Sequence, residues 1–315
     1  MGDERAMLDD DLALELEVES ASAHCDDTSR TKHGPDPAVR ALHGGGFFNS
    51  RLGAPNVWEV DVELSLVDEA ASIFDGAKLR QAHKSLRGAR GVPIQSFEGG
   101  GASFAVVQPK GWFSDINWFS VDDEATMARF ESIFTRLDLV KRFAPVVEHT
   151  HTLRMYSALF LVRTQCSEAN VHSDWVESLG ANALTLITPL VETKCAVDDN
   201  GGFQLVYKGT GGPAGAETEA LHQYTYTRGK AIVFGASFKH STEPGRAASA
   251  AEPHVYLCLT FGTDDLERWP AIADKGLRDQ SRLLARPDGS YERTGLGERT
   301  QDNSLDLIRR AIAAM

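Results

Sequence analysis

Hydrophobic and polar residues follow two different periods along the chain, and the switch comes near Pro145. Before it, a two-residue alternation sets Val60, Val62 and Leu64 against Glu59, Asp61 and Glu63 and predicts a strand over 57–64. A helix is expected from Leu66 to Ser85, with Ile73, Leu79 and His83 near one face, and a short strand from Ala102 to Gln108. Residues 122–143 carry the clearest helical pattern: Met127, Phe130, Ile133, Phe134, Leu137 and Val140 recur at spacings of three and four. Val121-Asp122-Asp123 gives this helix an acidic start that suits its dipole, and Ala144-Pro145 ends it. Beyond Pro145 short strands follow in quick succession, at 154–163, 183–191, 203–207, 222–226, 230–234 and 253–261. Turn residues separate them, most densely at 198–202 and 209–213.

Short strands at this spacing make a sandwich or a barrel. The expected fold is therefore α+β with a mainly β core. A helical and stranded annex over 46–148 packs on a β core over 149–265, within one catalytic domain spanning 46–275. Residues 1–45 read as a flexible acidic segment, where the alternation from Leu12 to Glu19 leaves edge strand and helix both open. Residues 276–315 turn polar and end in a short helix from Leu305. No internal repeat is visible.

Composition narrows the function. Of the net charge of −13, residues 1–30 supply −8 through ten acids and two bases. The remainder shows no basic stripe, and like-sign repulsion opposes a phosphate backbone, so nucleic acid is excluded as an expected partner. No apolar run reaches 18 residues, and the N-terminus is acidic where a signal peptide would be basic. A cytoplasmic protein with no membrane partner is expected. Cys25, Cys166, Cys195 and Cys258 are scattered without a C-x-x-C pair, which argues against a disulfide framework and a thiolate zinc site. Cys258, in an apolar run, reads as a small buried hydrophobe.

The candidate chemistry lies in Asn170-Val171-His172-Ser173-Asp174-Trp175. On an extended strand, residues i and i+2 project to one side, so His172 and Asp174 present an imidazole and a carboxylate together. His240 follows the apolar strand Ala231–Phe234 and is the candidate third ligand. Two histidines and one carboxylate on one face of a metal leave positions open for a co-substrate and O2, the arrangement of non-haem Fe(II) oxygenases. Trp175 is a candidate for lining a substrate pocket or for core packing. His149-Thr150-His151 is a rival pair at the same spacing. The Gly209–Gly215 loop lacks the lysine pattern of a phosphate-binding loop and reads as a flexible barrel loop. Phe113, Trp118 and Phe119 read as core residues, and Arg228 and Lys239 as solvated.

In this order the motifs resemble the double-stranded β-helix (jelly-roll or cupin-like) of the Fe(II)/2-oxoglutarate-dependent dioxygenases. They are most similar to the phytanoyl-CoA hydroxylase-like branch. His172-Ser-Asp174 matches the first ligand motif. Leu184-Thr-Leu-Ile-Thr-Pro189-Leu190-Val-Glu192 resembles the strand and turn that follow. Asn200-Gly201-Gly202-Phe203-Gln204-Leu205-Val206 resembles the asparagine–glycine segment, and Gly229–Phe234 the strand leading to the distal His240. The resemblance covers residues 150–262. It implies Fe(II) held by His172, Asp174 and His240, with 2-oxoglutarate as co-substrate and O2 as oxidant. A small-molecule substrate would be hydroxylated with release of succinate and CO2. Family members that halogenate lack the carboxylate, so Asp174 favours hydroxylation, desaturation or ring formation.

One part of the pattern departs. The branch usually holds the distal carboxylate of 2-oxoglutarate with an Arg about ten residues after the distal His, because a guanidinium fork suits a carboxylate. Here Arg246 follows His240 by six residues, and His254 occupies the start of the last core strand. Arg246 is the first candidate for this role, with His254 and Arg163 as alternatives. The departure keeps open a cupin-type oxygenase or isomerase that does not use 2-oxoglutarate. A non-catalytic binding barrel is a further alternative, against which the three intact ligands argue.

Overall fold

The computed structural model describes residues 36–42, 46–86, 95–108, 115–192, 202–249 and 251–296. Three short strands, β1 (Val39–Ala41), β2 (Phe47–Asn49) and β3 (Ala54–Pro55), precede β4 (Val57–Asp61). Helices α1 (Leu64–Gly76) and α2 (Leu79–Leu86) follow, then β5 (Ser96–Gly99), β6 (Ala102–Val107) and β7 (Asn117–Val121). Two more helices, α3 (Glu124–Arg136) and α4 (Leu139–Phe143), lead into β8 (Arg154–Arg163) and β9 (Gln165–Cys166). The next strands are β10 (Ala183–Pro189), β11 (Leu205–Thr210), β12 (Glu217–Tyr224) and β13 (Lys230–Phe234). They are followed by β14 (His240–Thr242), β15 (Gly245–Arg246) and β16 (His254–Gly262). A final hairpin pairs β17 (Leu283–Ala285) with β18 (Tyr291–Arg293).

Eight strands form one antiparallel sheet in the order β4-β13-β10-β16-β8-β7-β6-β5, and β12-β11-β14 form a second. The central strands β8 and β16 are covered on both faces, which explains why they read as continuous apolar runs. On β16, Val255, Leu257, Leu259 and Phe261 join the core beneath the helices, while Tyr256 turns the other way. Phe160 of β8 sits at the middle of the helical side, its ring 5.3 Å from Phe74 of α1, 5.3 Å from Phe104 and 5.6 Å from Phe130 of α3. Burial of each such ring contributes roughly 1.5–3 kcal/mol. On the other face, Ile232 and Phe234 of β13 and Tyr256 of β16 pack with Leu205 and Tyr207 of β11 and Tyr224 of β12. The two sheets thus share an interior, and that interior holds the site.

The mainly β expectation agrees with this architecture, and several boundaries are corrected. The helix expected over 66–85 is two helices, broken at Lys78, whose φ is +56°. The helix expected over 122–143 is likewise broken at Asp138, with φ of +54°. Each left-handed residue closes the preceding helix: Ala77 N–H donates to the Ile73 carbonyl, and Lys78 N–H to that of Asp75, at 3.0 Å. Apolar periodicity runs through both breaks because the chain turns without leaving the sheet surface. The acidic start is confirmed, with Asp123 Oδ1 accepting from Thr126 N–H at 2.6 Å. The strand expected over 57–64 ends at Asp61, and half-exposed Leu64 opens α1.

β12 begins five residues before the expected 222 and is exposed along most of its length, so it carries no alternation to read. The polar segment after residue 275 contains the β17–β18 hairpin, with Leu283 in the main core and Arg293 Nη1 2.6 Å from Asp122 Oδ1. The expected terminal helix, the Leu12–Glu19 alternation, Phe113, Cys25 and Cys195 lie outside the described residues. No helix among the described residues is long and apolar enough to cross a membrane. Because a left-handed backbone strains any residue with a Cβ, Lys78→Gly is expected to stabilise the protein by about 0.5–1 kcal/mol, read as a rise in the thermal midpoint.

Candidate metal centre

Two short antiparallel segments bring the distant histidines together. His172 and His240 form a β-bridge in which each backbone N–H donates to the other's carbonyl at 2.9 Å. Asn170 N–H adds a bond to Ser241 Oγ at 2.7 Å. His172 Nε2 lies 3.4 Å, and His240 Nε2 3.6 Å, from Asp174 Oδ1. Among the described residues these three form the one group able to hold a metal, with ligand atoms all within 4.8 Å of one another.

The protonation pattern fits a metal. His172 Nδ1 is 2.6 Å from the Asn170 carbonyl, and His240 Nδ1 3.1 Å from that of Phe238. A carbonyl only accepts, so both Nδ1 atoms carry the hydrogen and donate. In the neutral ring this leaves a lone pair on Nε2, the atom that faces Asp174, which is the tautomer a metal requires. Burial would raise the Asp174 pKa, but the charges of His240 and His172 and hydrogen bonds from His172 and Thr185 outweigh it and hold the carboxyl below its ordinary value. Burial pushes His240 below the ordinary histidine value, only partly offset by Asp174. Burial acts the same way on half-exposed His172, yet the hydrogen bond and charge of Asp174 and the Asn170 carbonyl leave that pKa raised.

Thr185 of β10 donates to Asp174 Oδ2 at 3.1 Å, and Trp175 Nε1 donates to Thr185 Oγ1 at 3.0 Å. Trp175 is 4% exposed and packs with Leu179, Ala183, Trp269 and Ile272, so its ring belongs to a core cluster. No ligand or catalytic motif in the sequence marks Thr185. The signal was a lone hydroxyl between Leu184 and Leu186, at an inward position of a strand already recognised.

The three basic candidates separate sharply. Arg246 is exposed on β15 and pairs in register with Gln165. His254 is buried, its ring 4.2 Å from that of Phe203. Arg163, the last residue of β8, is 3% exposed, and its Nε and Nη1 have no hydrogen-bond partner among the described residues. Arg163 and His254 are register partners on adjacent strands, so their side chains project to the same face. The Arg163 charge opposes, as the smallest of the effects, the rise of the His172 pKa. Asp115 locks the turn that follows: its Oδ1 accepts from the N–H groups of Thr164 and Gln165, both at 2.8 Å.

The rival pair does not form a strand. Asp264 accepts from the backbone N–H groups of Thr150, His151 and Thr152, and His149 and His151 are both exposed. Phe119 is fully buried, in keeping with its core reading. Arg228 and Lys239, read as solvated, pair with Asp68 and Glu217.

No protein-family model matches the chain, and no curated protein matches it in sequence. Solved structures do align with it. AviO1 from Streptomyces viridochromogenes Tue57 shares 14% identity over 67% of this chain and 91% of its own, with a TM-score of 0.43. HygX from Streptomyces hygroscopicus, with nickel and 2-oxoglutarate bound, shares 13% identity over 66% of this chain and 83% of its own, at 0.40. A Pseudomonas putida prolyl-4-hydroxylase shares 14% identity over 66% and 92%, at 0.36. Similarity at this level assigns neither a family nor an activity to this chain.

Proposed function

We propose that the protein is an Fe(II)- and 2-oxoglutarate-dependent oxygenase that acts on a small molecule, built on a double-stranded β-helix. The observation that carries this reading is the pairing of two features inside one β core. His172, Asp174 and His240 converge with both imidazoles in the metal-binding tautomer, and on β8 Arg163 is a buried cation whose Nε and Nη1 have no hydrogen-bond partner among the described residues. Two histidines and one carboxylate are the ligand set of non-haem Fe(II) oxygenases. A buried guanidinium with unsatisfied donors is costly unless an anion joins it, and a carboxylate meets its donor geometry.

In this reading His172 Nε2, His240 Nε2 and one Asp174 oxygen would hold the iron. Arg163 replaces the arginine that the phytanoyl-CoA hydroxylase-like branch carries at the position of His254, reaching the same pocket from the neighbouring strand. When bound, Fe(II) would activate O2, the oxidant, whose two oxygen atoms would be shared between 2-oxoglutarate, giving succinate and CO2, and the substrate, which would be hydroxylated. Asp174 keeps one ligand position filled, which favours hydroxylation. Leu161, Ile187, Phe234 and Tyr256 wall the interior with apolar surface and limit water. The net charge of −13 accords with a small-molecule substrate in place of a polyanion.

The test needs no substrate. Fe(II) and then 2-oxoglutarate are added to the purified protein without oxygen, and the visible spectrum is recorded. A weak metal-to-ligand charge-transfer band that saturates with 2-oxoglutarate, and is missing in His172→Ala, is the expected result. Bound Fe(II) with no such band would point to a cupin-type enzyme that dispenses with 2-oxoglutarate, and failure to bind Fe(II) would overturn the reading.

A further inference from the structure

The contacts behind Asp174 have a fixed direction. An indole nitrogen only donates, so the bond from Trp175 Nε1 occupies a lone pair of Thr185 Oγ1. The Thr185 hydroxyl hydrogen is then free to point at Asp174 Oδ2, 3.1 Å away. Thr185 is 2% exposed and Trp175 4%, so water does not replace either partner. Both histidine Nε2 atoms measure their approach to the other oxygen, Oδ1. The carboxylate is thus divided: Oδ2 is tied to Thr185, and Oδ1 faces the two histidine Nε2 atoms.

We infer that Thr185 is a positioning residue, set by Trp175, that holds Asp174 as a one-oxygen ligand and thereby fixes both the metal affinity and the number of coordination positions left open. The inference rests on the metal-site reading above. Without the Thr185 hydroxyl, Oδ2 loses its donor, the carboxylate turns about its terminal torsion, and both oxygens compete for the metal. A two-oxygen Asp174 would occupy a position that a co-substrate needs. Outer partners of metal ligands typically govern affinity by about 10- to 100-fold, and that is the effect assigned to Thr185.

Co(II) reports ligand number through its visible ligand-field bands, independently of turnover. Titrating Co(II) into the purified protein, Thr185→Val is expected to raise the dissociation constant about 10- to 100-fold and to change the band pattern, while Thr185→Ser stays close to wild type in both. Trp175→Phe keeps the buried ring but frees the Thr185 hydroxyl to rotate, so it falls between the two. A role confined to packing would lower the thermal midpoint and leave Co(II) affinity and bands unchanged in the folded fraction, which would overturn the inference. Should Thr185→Val not fold, Trp175→Phe carries the test by the same criterion. A wild-type protein that binds no Co(II) overturns the metal-site reading itself, a result distinct from wild-type binding that Thr185→Val leaves untouched.

Discussion

His240→Ala is expected to remove Fe(II) binding and turnover altogether, and His172→Ala and Asp174→Ala are expected to do the same from the other two corners of the site. Each residue supplies one of the three candidate ligand atoms found among the described residues. Losing an outer partner of such a ligand already costs about 10- to 100-fold in affinity, so losing a ligand itself should exceed about 100-fold. The fold should survive. The larger sheet is centred on β8, β10, β13 and β16, whose buried residues contribute to both cores, and the His172–His240 bridge is made by backbone groups that alanine retains. Circular dichroism and the thermal midpoint should therefore change little while metal titration and succinate release both fail. His240→Ala will cost more stability than His172→Ala, because His240 is 6% exposed and stacks on Phe238, whereas His172 is a third exposed. Wild-type turnover in any of the three variants would sink the assignment of the metal site.

The metal triad was legible in the sequence because each part had a local cause. The two-residue spacing of His172 and Asp174 suggested a strand, though His172 forms only an isolated bridge and Asp174 lies in the bend that follows, and His240 follows an apolar strand whose end is marked by Gly235. The choice among Arg246, His254 and Arg163 was not legible, because it depends on which strands become neighbours. Arg163 and His254 lie far apart in the chain and become partners only through the β8–β16 register. Spacing after the distal histidine therefore pointed to Arg246, which the fold leaves on an exposed two-residue strand. Thr185 was hidden for a related reason: a threonine in a strand reads as ordinary β propensity until the carboxylate opposite it is known. The helix breaks at Lys78 and Asp138 were hidden because neither residue is the glycine that normally signals a left-handed cap.

Arg163→Met should separate co-substrate binding from metal binding more cleanly than any other change. The variant keeps the aliphatic stem and removes the guanidinium. Truncating one partner of a buried, hydrogen-bonded charge pair costs about 2–5 kcal/mol, so the 2-oxoglutarate requirement should rise at least about 30-fold, with Fe(II) affinity close to wild type. Stability should move the opposite way. In the protein without co-substrate, Arg163 is a buried cation whose Nε and Nη1 have no partner among the described residues, and replacing such a group with an apolar one of similar volume is neutral or stabilising. The thermal midpoint of Arg163→Met without ligand should therefore match or exceed that of wild type. Wild type should gain about 2.7 kcal/mol when 2-oxoglutarate reaches a hundredfold excess over its dissociation constant, and the variant should gain almost nothing at the same concentration. Arg246→Ala, an exposed change, should leave both readouts near wild type. If Arg163→Met instead keeps its response to 2-oxoglutarate and Arg246→Ala loses it, the carboxylate belongs to Arg246, and the buried guanidinium must answer to some other anion.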